Sequence, residues 1–283
     1  MVRDADRPRR RPPIDALLAE AAEHGDARDD AGEDALTACC LAARFADRGD
    51  PRDLDRAIDL WRRSIAASTR PPRRLWLSRP WRLLELGRVL LERGRWSGGD
   101  DDLDEASAVL ACAARSTGDP VVRAICTGRR AACDHEVYLR TGRPSAARRA
   151  ERRYRHAIAA LCPGSPAKPM LLTELGVLVQ DRVDLDGEGD LEEALALGRH
   201  AVATGPPQGP DRACHLVNLG TGWDQRYRIA GQCAAVHGGG EGPRGEARQG
   251  PSRALDGTVL LLDGWEDRPL RVLTSFETAT LGG

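Results

Sequence analysis

Apolar positions recur at i, i+3, i+4 and i+7 through WRLLELGRVLLERG from Trp81, and again through MLLTELGVLVQDR from Met170. That period places a wide apolar stripe along one face of an α-helix. Each stripe is centred on a small residue, and comparable small residues fall at Cys39, Gly87, Ala132, Gly176 and Gly220, at intervals of 48, 45, 44 and 44. A second series, Ala57, Ala106, Ala150 and Ala194, runs at intervals of 49, 44 and 44. The two series alternate, which predicts a first and a second helix written repeatedly along the chain.

The second helices carry start signals. GDPRDLDRAIDL, GGDDDLDEASAV and GEGDLEEALAL each pass through an acidic turn into acid-rich first positions, where carboxylates cap free N–H groups and oppose the positive end of the helix dipole. Pro120, Pro163 and Pro206 mark three of their exits, since proline cannot extend the hydrogen-bond ladder. Inside them a small–bulky–small rhythm recurs: Ala57, Trp61, Ser64; then Ala150, Tyr154, Ala157; then Ala194, Gly198, Ala201, where Gly198 is the weak copy. A helix pair repeated in tandem buries its apolar face only against its neighbours, which makes an all-α solenoid.

These motifs resemble the tetratricopeptide repeat. The units are about ten residues longer than the usual ~34, and they are similar to the extended arrays of high-GC bacteria that read LGxxLxxRxxxxGDxxDLDEAIxLxRxAV and often precede a caspase-like CHAT peptidase domain. The likeness covers roughly residues 34–231. It implies a right-handed α-solenoid of tandem antiparallel helix pairs over residues 14–231, with a capping helix at Ile14 to His24 that carries Ile14, Leu17, Leu18 and Ala21 on one face. Residues 1–13 read as a basic disordered arm. After Gly231 the register stops, and eleven glycines among the last 53 residues predict an irregular Gly-rich tail over 232–283 with at most a short hairpin. A truncation or reading-frame change in a longer array would leave such a break.

Composition narrows the function classes. Aromatic residues make up 4% of the 283, too few for base-stacking platforms, and the formal net charge of −1 supplies no global field toward nucleic acid or anionic membrane. The expectation is therefore no nucleic-acid partner and no membrane partner. The eight cysteines show no Cys-x-x-Cys spacing and read as small core residues of a cytoplasmic protein. His156 and His200 sit in the same place of successive units, so they are expected to belong to the repeat and not to converge on one substrate. Asp184, Asp186, Glu188 and Gly189 imitate a calcium loop, but Leu195 stands where the closing bidentate Glu belongs. No phosphate loop, nucleophile elbow or Cys–His dyad occurs. No metal, cofactor or catalytic residue is expected, and the chain reads as a non-enzyme.

The role implied by the resemblance is a scaffold that binds a peptide or protein domain in the groove of its superhelix. On that analogy the groove positions are Trp81, Leu84, Arg88 and Leu91; Arg129 and Glu136; Thr173, Val177 and Gln180; Val217, Thr221 and Asp224. A regulatory or sensor portion of a split or truncated CHAT-peptidase or signalling system is the alternative, and an enzyme with an unrecognised site is the second. The groove's mixed apolar and polar character suggests a helix or an extended apolar peptide as occupant.

Overall fold

A computed structural model describes residues 30–67 and 78–237. The expected basic arm, the helix at Ile14 to His24 and the tail beyond residue 237 lie outside the described residues. Among the described residues nine α-helices follow one another: α1 (Asp30–Arg48), α2 (Pro51–Ala67), α3 (Arg79–Ser97), α4 (Asp100–Ser116), α5 (Pro120–Thr141), α6 (Pro144–Ala159), α7 (Lys168–Asp186), α8 (Leu191–Thr204) and α9 (Pro210–His237). No strand occurs among the described residues. Each helix packs on its chain neighbours, most closely within the pairs α1–α2, α3–α4, α5–α6 and α7–α8. The first helices α3, α5, α7 and α9 also touch one another in succession. The described residues form an all-α helical-repeat solenoid.

The punctuation has identifiable causes. Proline is the first residue of α2, α5, α6 and α9, a place where its missing N–H costs nothing and its fixed φ suits the helix. Pro120 thus opens α5, after α4 has already ended at Ser116. Asp119 and Asp190 cap α5 and α8 by accepting from the backbone N–H groups of the first turn. The exits of α3, α5 and α7 end in Gly98, Gly142 and Gly187 at φ of 75°, 62° and 65°, a left-handed conformation that strains any residue with a Cβ. Gly231 stands 44 residues after Gly187, yet α9 runs through it to His237. The residues that follow, Gln232 to Val236, sustain a helix, and one interior glycine costs only about 1 kcal/mol.

A single apolar core runs from Ala35 to Ala194. The small–bulky–small positions of the second helices are all buried: Ala57, Trp61, Ser64; Ala106, Leu110, Ala113; Ala150, Tyr154, Ala157; Ala194, Gly198, Ala201. Burying each bulky member contributes roughly 1.5–3 kcal/mol over leaving it exposed. Where the bulk is missing at Gly198, Leu219 of α9 fills the space, lying 3.1 Å from where a Cβ on Gly198 would sit. The facing first helices supply the room. A Cβ on Gly87 would stand 2.5 Å from Leu110 Cγ, and one on Gly176 would stand 3.3 Å from the Ala194 carbonyl oxygen.

Two positions of the packing series differ from the sequence pattern. In α1 the fully buried small residue is Ala38, whereas Cys39 is only half-buried. Ala38 precedes Gly87 by 49 residues, the interval that also separates Ala57 from Ala106. Gly220 is exposed, with nothing within 4 Å of a Cβ placed there, because no second helix covers α9 among the described residues. Leu216, Val217, Trp223 and Tyr227 of α9 are correspondingly exposed.

Within the first two complete pairs an arginine on the first helix grips an aspartate nine residues later, at the start of the second. Arg44 holds Asp53 and Arg93 holds Asp102, each through two guanidinium nitrogens, with Nε–Oδ2 distances of 2.8 Å. The fork geometry fixes the turn between the paired helices. No helix among the described residues is long and apolar enough to cross a membrane.

Candidate functional site

The row of first helices is where the expected groove residues lie, and the spacing of the helices decides which of them remain accessible. Leu84, Leu91, Arg129, Glu136, Thr173 and Gln180 are all buried, so they do not line an open groove. They form the seam between successive first helices. Helix axes packed about 8–10 Å apart leave a furrow that side chains from both sides fill, which is why inward-facing positions end up covered.

The seam is polar and is built from residues about one repeat apart. Arg129 of α5 donates Nη1 to Glu174 of α7 at 3.0 Å and lies 3.4 Å from the Met170 sulfur through Nη2. His135 Nε2 pairs with Asp181 at 2.7 Å. The Thr173 hydroxyl lies 2.8 Å from His215 Nδ1 of α9. Gln225 donates to the Gln180 carbonyl at 3.0 Å and to Asp184 at 2.6 Å. Glu136 accepts from Arg140 at 3.3 Å and sits 3.6 Å from Arg95 Nε. Sequence reading missed these links because it compared equivalent positions. Pairing polar residues separated by one period would have found them.

The accessible remainder of the row is shallow and charged. Trp81, Leu84, Glu85, Arg88, Ile125 and Arg129 enclose a cavity of about 20 Å³, room for roughly one water molecule. Arg88 pairs with Glu85 at 2.8 Å and Arg95 with Glu92 at 3.0 Å. Burial works against the Arg88 charge, but Glu85 overrides it and holds the guanidinium above its ordinary range. Val177 is half-buried, while Val217, Thr221 and Asp224 are exposed on α9, with Asp224 paired to Arg228 at 3.0 Å. The inner row is thus a ladder of arginines and carboxylates, not the mixed apolar surface that the residue types suggested.

The remaining chemistry is accounted for locally. Burial pushes the Cys126 and Cys133 thiols up to about 12 and the Cys214 thiol to about 11, leaving them protonated and poor nucleophiles at neutral pH. In the calcium-like stretch Glu188 pairs with Arg182, Asp184 accepts from Gln225 and Leu195 is fully buried, while Asp186 Oδ2 is buried without a hydrogen-bond partner among the described residues. His156 and His200 are exposed on separate second helices. Among the described residues no group of three or more His, Cys, Asp or Glu side chains is arranged to hold a metal ion.

No protein-family model matches the chain, and no curated protein does. Among solved structures, the crystal structure of BtubC (BKLC) from P. vanneervenii is similar in fold. The TM-score is 0.50 at 17% identity, covering 86% of this chain and 100% of that one. At this identity the likeness speaks for the helical architecture alone.

Proposed function

We propose that the chain is a non-catalytic protein–protein interaction scaffold of tetratricopeptide type, which receives a peptide or protein domain along the row of first helices. The observation that carries this reading is the ladder on α3, α5 and α7. Its rungs on α3, Arg88 with Glu85 and Arg95 with Glu92, are held in place by packing yet keep a fraction of their surface in solvent, and the buried pair of Arg129 with Glu174 braces α5 against α7 beside them. Fixed charges of both signs at regular spacing recognise a polar segment through complementary charges, which set register and partner choice more than raw affinity. Trp81 beside Arg88 provides the aromatic contact in the shallow cavity, next to Leu84 and Ile125, a residue type that often anchors interfaces. A reducing cytoplasm, where buried free thiols remain reduced, fits this reading.

Photo-crosslinking amino acids at Arg88 and Val177 in the full chain test this reading against the same probe at Arg62 on α2. The expected result is a discrete adduct from both inner positions that disappears when Glu85 and Glu92 are replaced by Lys. Adducts from Arg62 alone would overturn it.

A further inference from the structure

A second cleft lies on another face of α5, toward α6. Thr127, Arg130, Arg149, Arg152, Arg153 and His156 line an open cavity of about 400 Å³. Asp134 accepts from both Arg149, at 2.8 Å, and Arg153. One of the four guanidinium charges is thereby neutralised, and a net of three remains. Among the described residues neither Arg130 nor Arg152 has an ion-pair partner, and Arg130 Nε is buried with no acceptor there. Burial first, and then repulsion from Arg153, lowers Arg130 below the ordinary arginine range. A partly desolvated guanidinium beside another cation is costly unless an anion joins it.

The repeat shows that packing does not require this charge. Forty-four residues earlier the positions of Arg149, Arg152, Arg153 and His156 are Glu105, Ala108, Val109 and Cys112 on α4. Forty-four later they are Glu193, Ala196, Leu197 and His200 on α8. The same helical framework is therefore built twice without arginines there. Glu105 and Glu193 are already paired with Arg62 and Arg155, and the lack of arginine at these equivalent positions confines the cluster to one unit, which disfavours an extended polyanion such as nucleic acid.

We propose that this α5–α6 cleft binds a phosphate monoester dianion, held by Arg130 and Arg152 as the two unpaired forks, with Arg149 and Arg153 fixed behind them by Asp134. A dianion offsets most of the net positive charge, whereas a carboxylate would leave two charges uncompensated. Guanidinium forks match phosphate oxygens bidentately. The ester could be a free metabolite or a phosphorylated side chain, and both present the same group. The site goes beyond the scaffold reading and uses different side chains of α5, so either can fail alone.

Titration of the full chain with inorganic phosphate, with capped phosphoserine and with acetate, followed by calorimetry at low salt, tests the assignment. Saturable phosphate or phosphoserine binding is expected, with acetate at least tenfold weaker and the Arg130→Gln, Arg152→Gln double variant weakened tenfold or more. Arg152→Glu alone, at an exposed position, should abolish binding without altering the melt, and Arg199→Gln on α8 should leave it unchanged. Equal affinity for the two phosphates would point to a free metabolite, and a tenfold preference for phosphoserine to a phosphorylated side chain. Either supports the site. No saturable binding up to ~10 mM, equal binding of acetate, or tighter binding of single-stranded DNA that is lost in the same variants would overturn it.

Discussion

Gly87→Ala and Gly220→Ala make one substitution at one place in the repeat, and they are expected to move stability in opposite directions. Both glycines lie inside first helices, where alanine is favoured by about 0.8–1.0 kcal/mol. At Gly220 nothing stands within 4 Å of the new methyl group, so the variant should gain about 0.5–1 kcal/mol. At Gly87 the methyl would meet Leu110 Cγ at 2.5 Å and Cδ2 at 2.8 Å. Leu110 is fully buried, and overpacking a closed core costs about 1–3 kcal/mol, which outweighs the propensity gain. A double-mutant cycle isolates the clash. Leu110→Ala alone should cost about 2–5 kcal/mol through the cavity it leaves. In that background Gly87→Ala should become stabilising, with a coupling energy of about 1–3 kcal/mol. Urea unfolding followed by far-UV circular dichroism reads Gly87 and the cycle. Hydrogen exchange in α9 reads Gly220, since terminal units of a solenoid open independently. Additivity of Gly87→Ala and Leu110→Ala within about 0.5 kcal/mol would show that these side chains do not share the space assigned to them.

Other outcomes follow from single contacts. Arg93→Gln removes the fork on Asp102 and a further bond to Asp55, and should cost about 1.5–3 kcal/mol in urea melts; a loss under 0.5 would mean that the brace is ornamental. Burial lowers His215 below its ordinary value despite Asp211. The unfolded chain then binds the extra proton first, so stability is full above about pH 6.5 and falls as pH drops from there toward the folded value. The melting temperature should decline between pH 7.5 and 5.5, less so in His215→Gln, and equal declines would refute the assignment. A thiol reagent at pH 8 should label exposed Cys162 rapidly and reach Cys126 and Cys133 only after denaturant is added; fast labelling of either buried thiol would contradict the packing of α5.

Much of the architecture could be read from the chain because solenoid contacts are local. A helix whose partner follows within twenty residues leaves its register in the spacing of small residues, and Gly87, Ala132 and Gly176 sit in the buried faces of α3, α5 and α7. Ala38 and Cys39 look alike to the pattern because TACC offers adjacent small residues of nearly equal size. Only the 49-residue interval tells them apart. The groove was less legible. A sequence marks which face of a helix points inward, but not how near the next inward face comes, and that distance turned Arg129, Glu136 and Thr173 from lining residues into seam residues. The arginine cleft escaped for the opposite reason: Arg130 and Arg152 lie on different helices, outside the repeat pattern, and converge only in the fold.

The scaffold reading stands or falls on where a partner lies. Hydrogen–deuterium exchange of the full chain, with and without the protein crosslinked through Arg88 and Val177, measures this directly. The account predicts protection concentrated in α3, α5 and α7, with α4, α6 and α8 unchanged. Protection confined to the second helices, or none in α3 and α7, would contradict it.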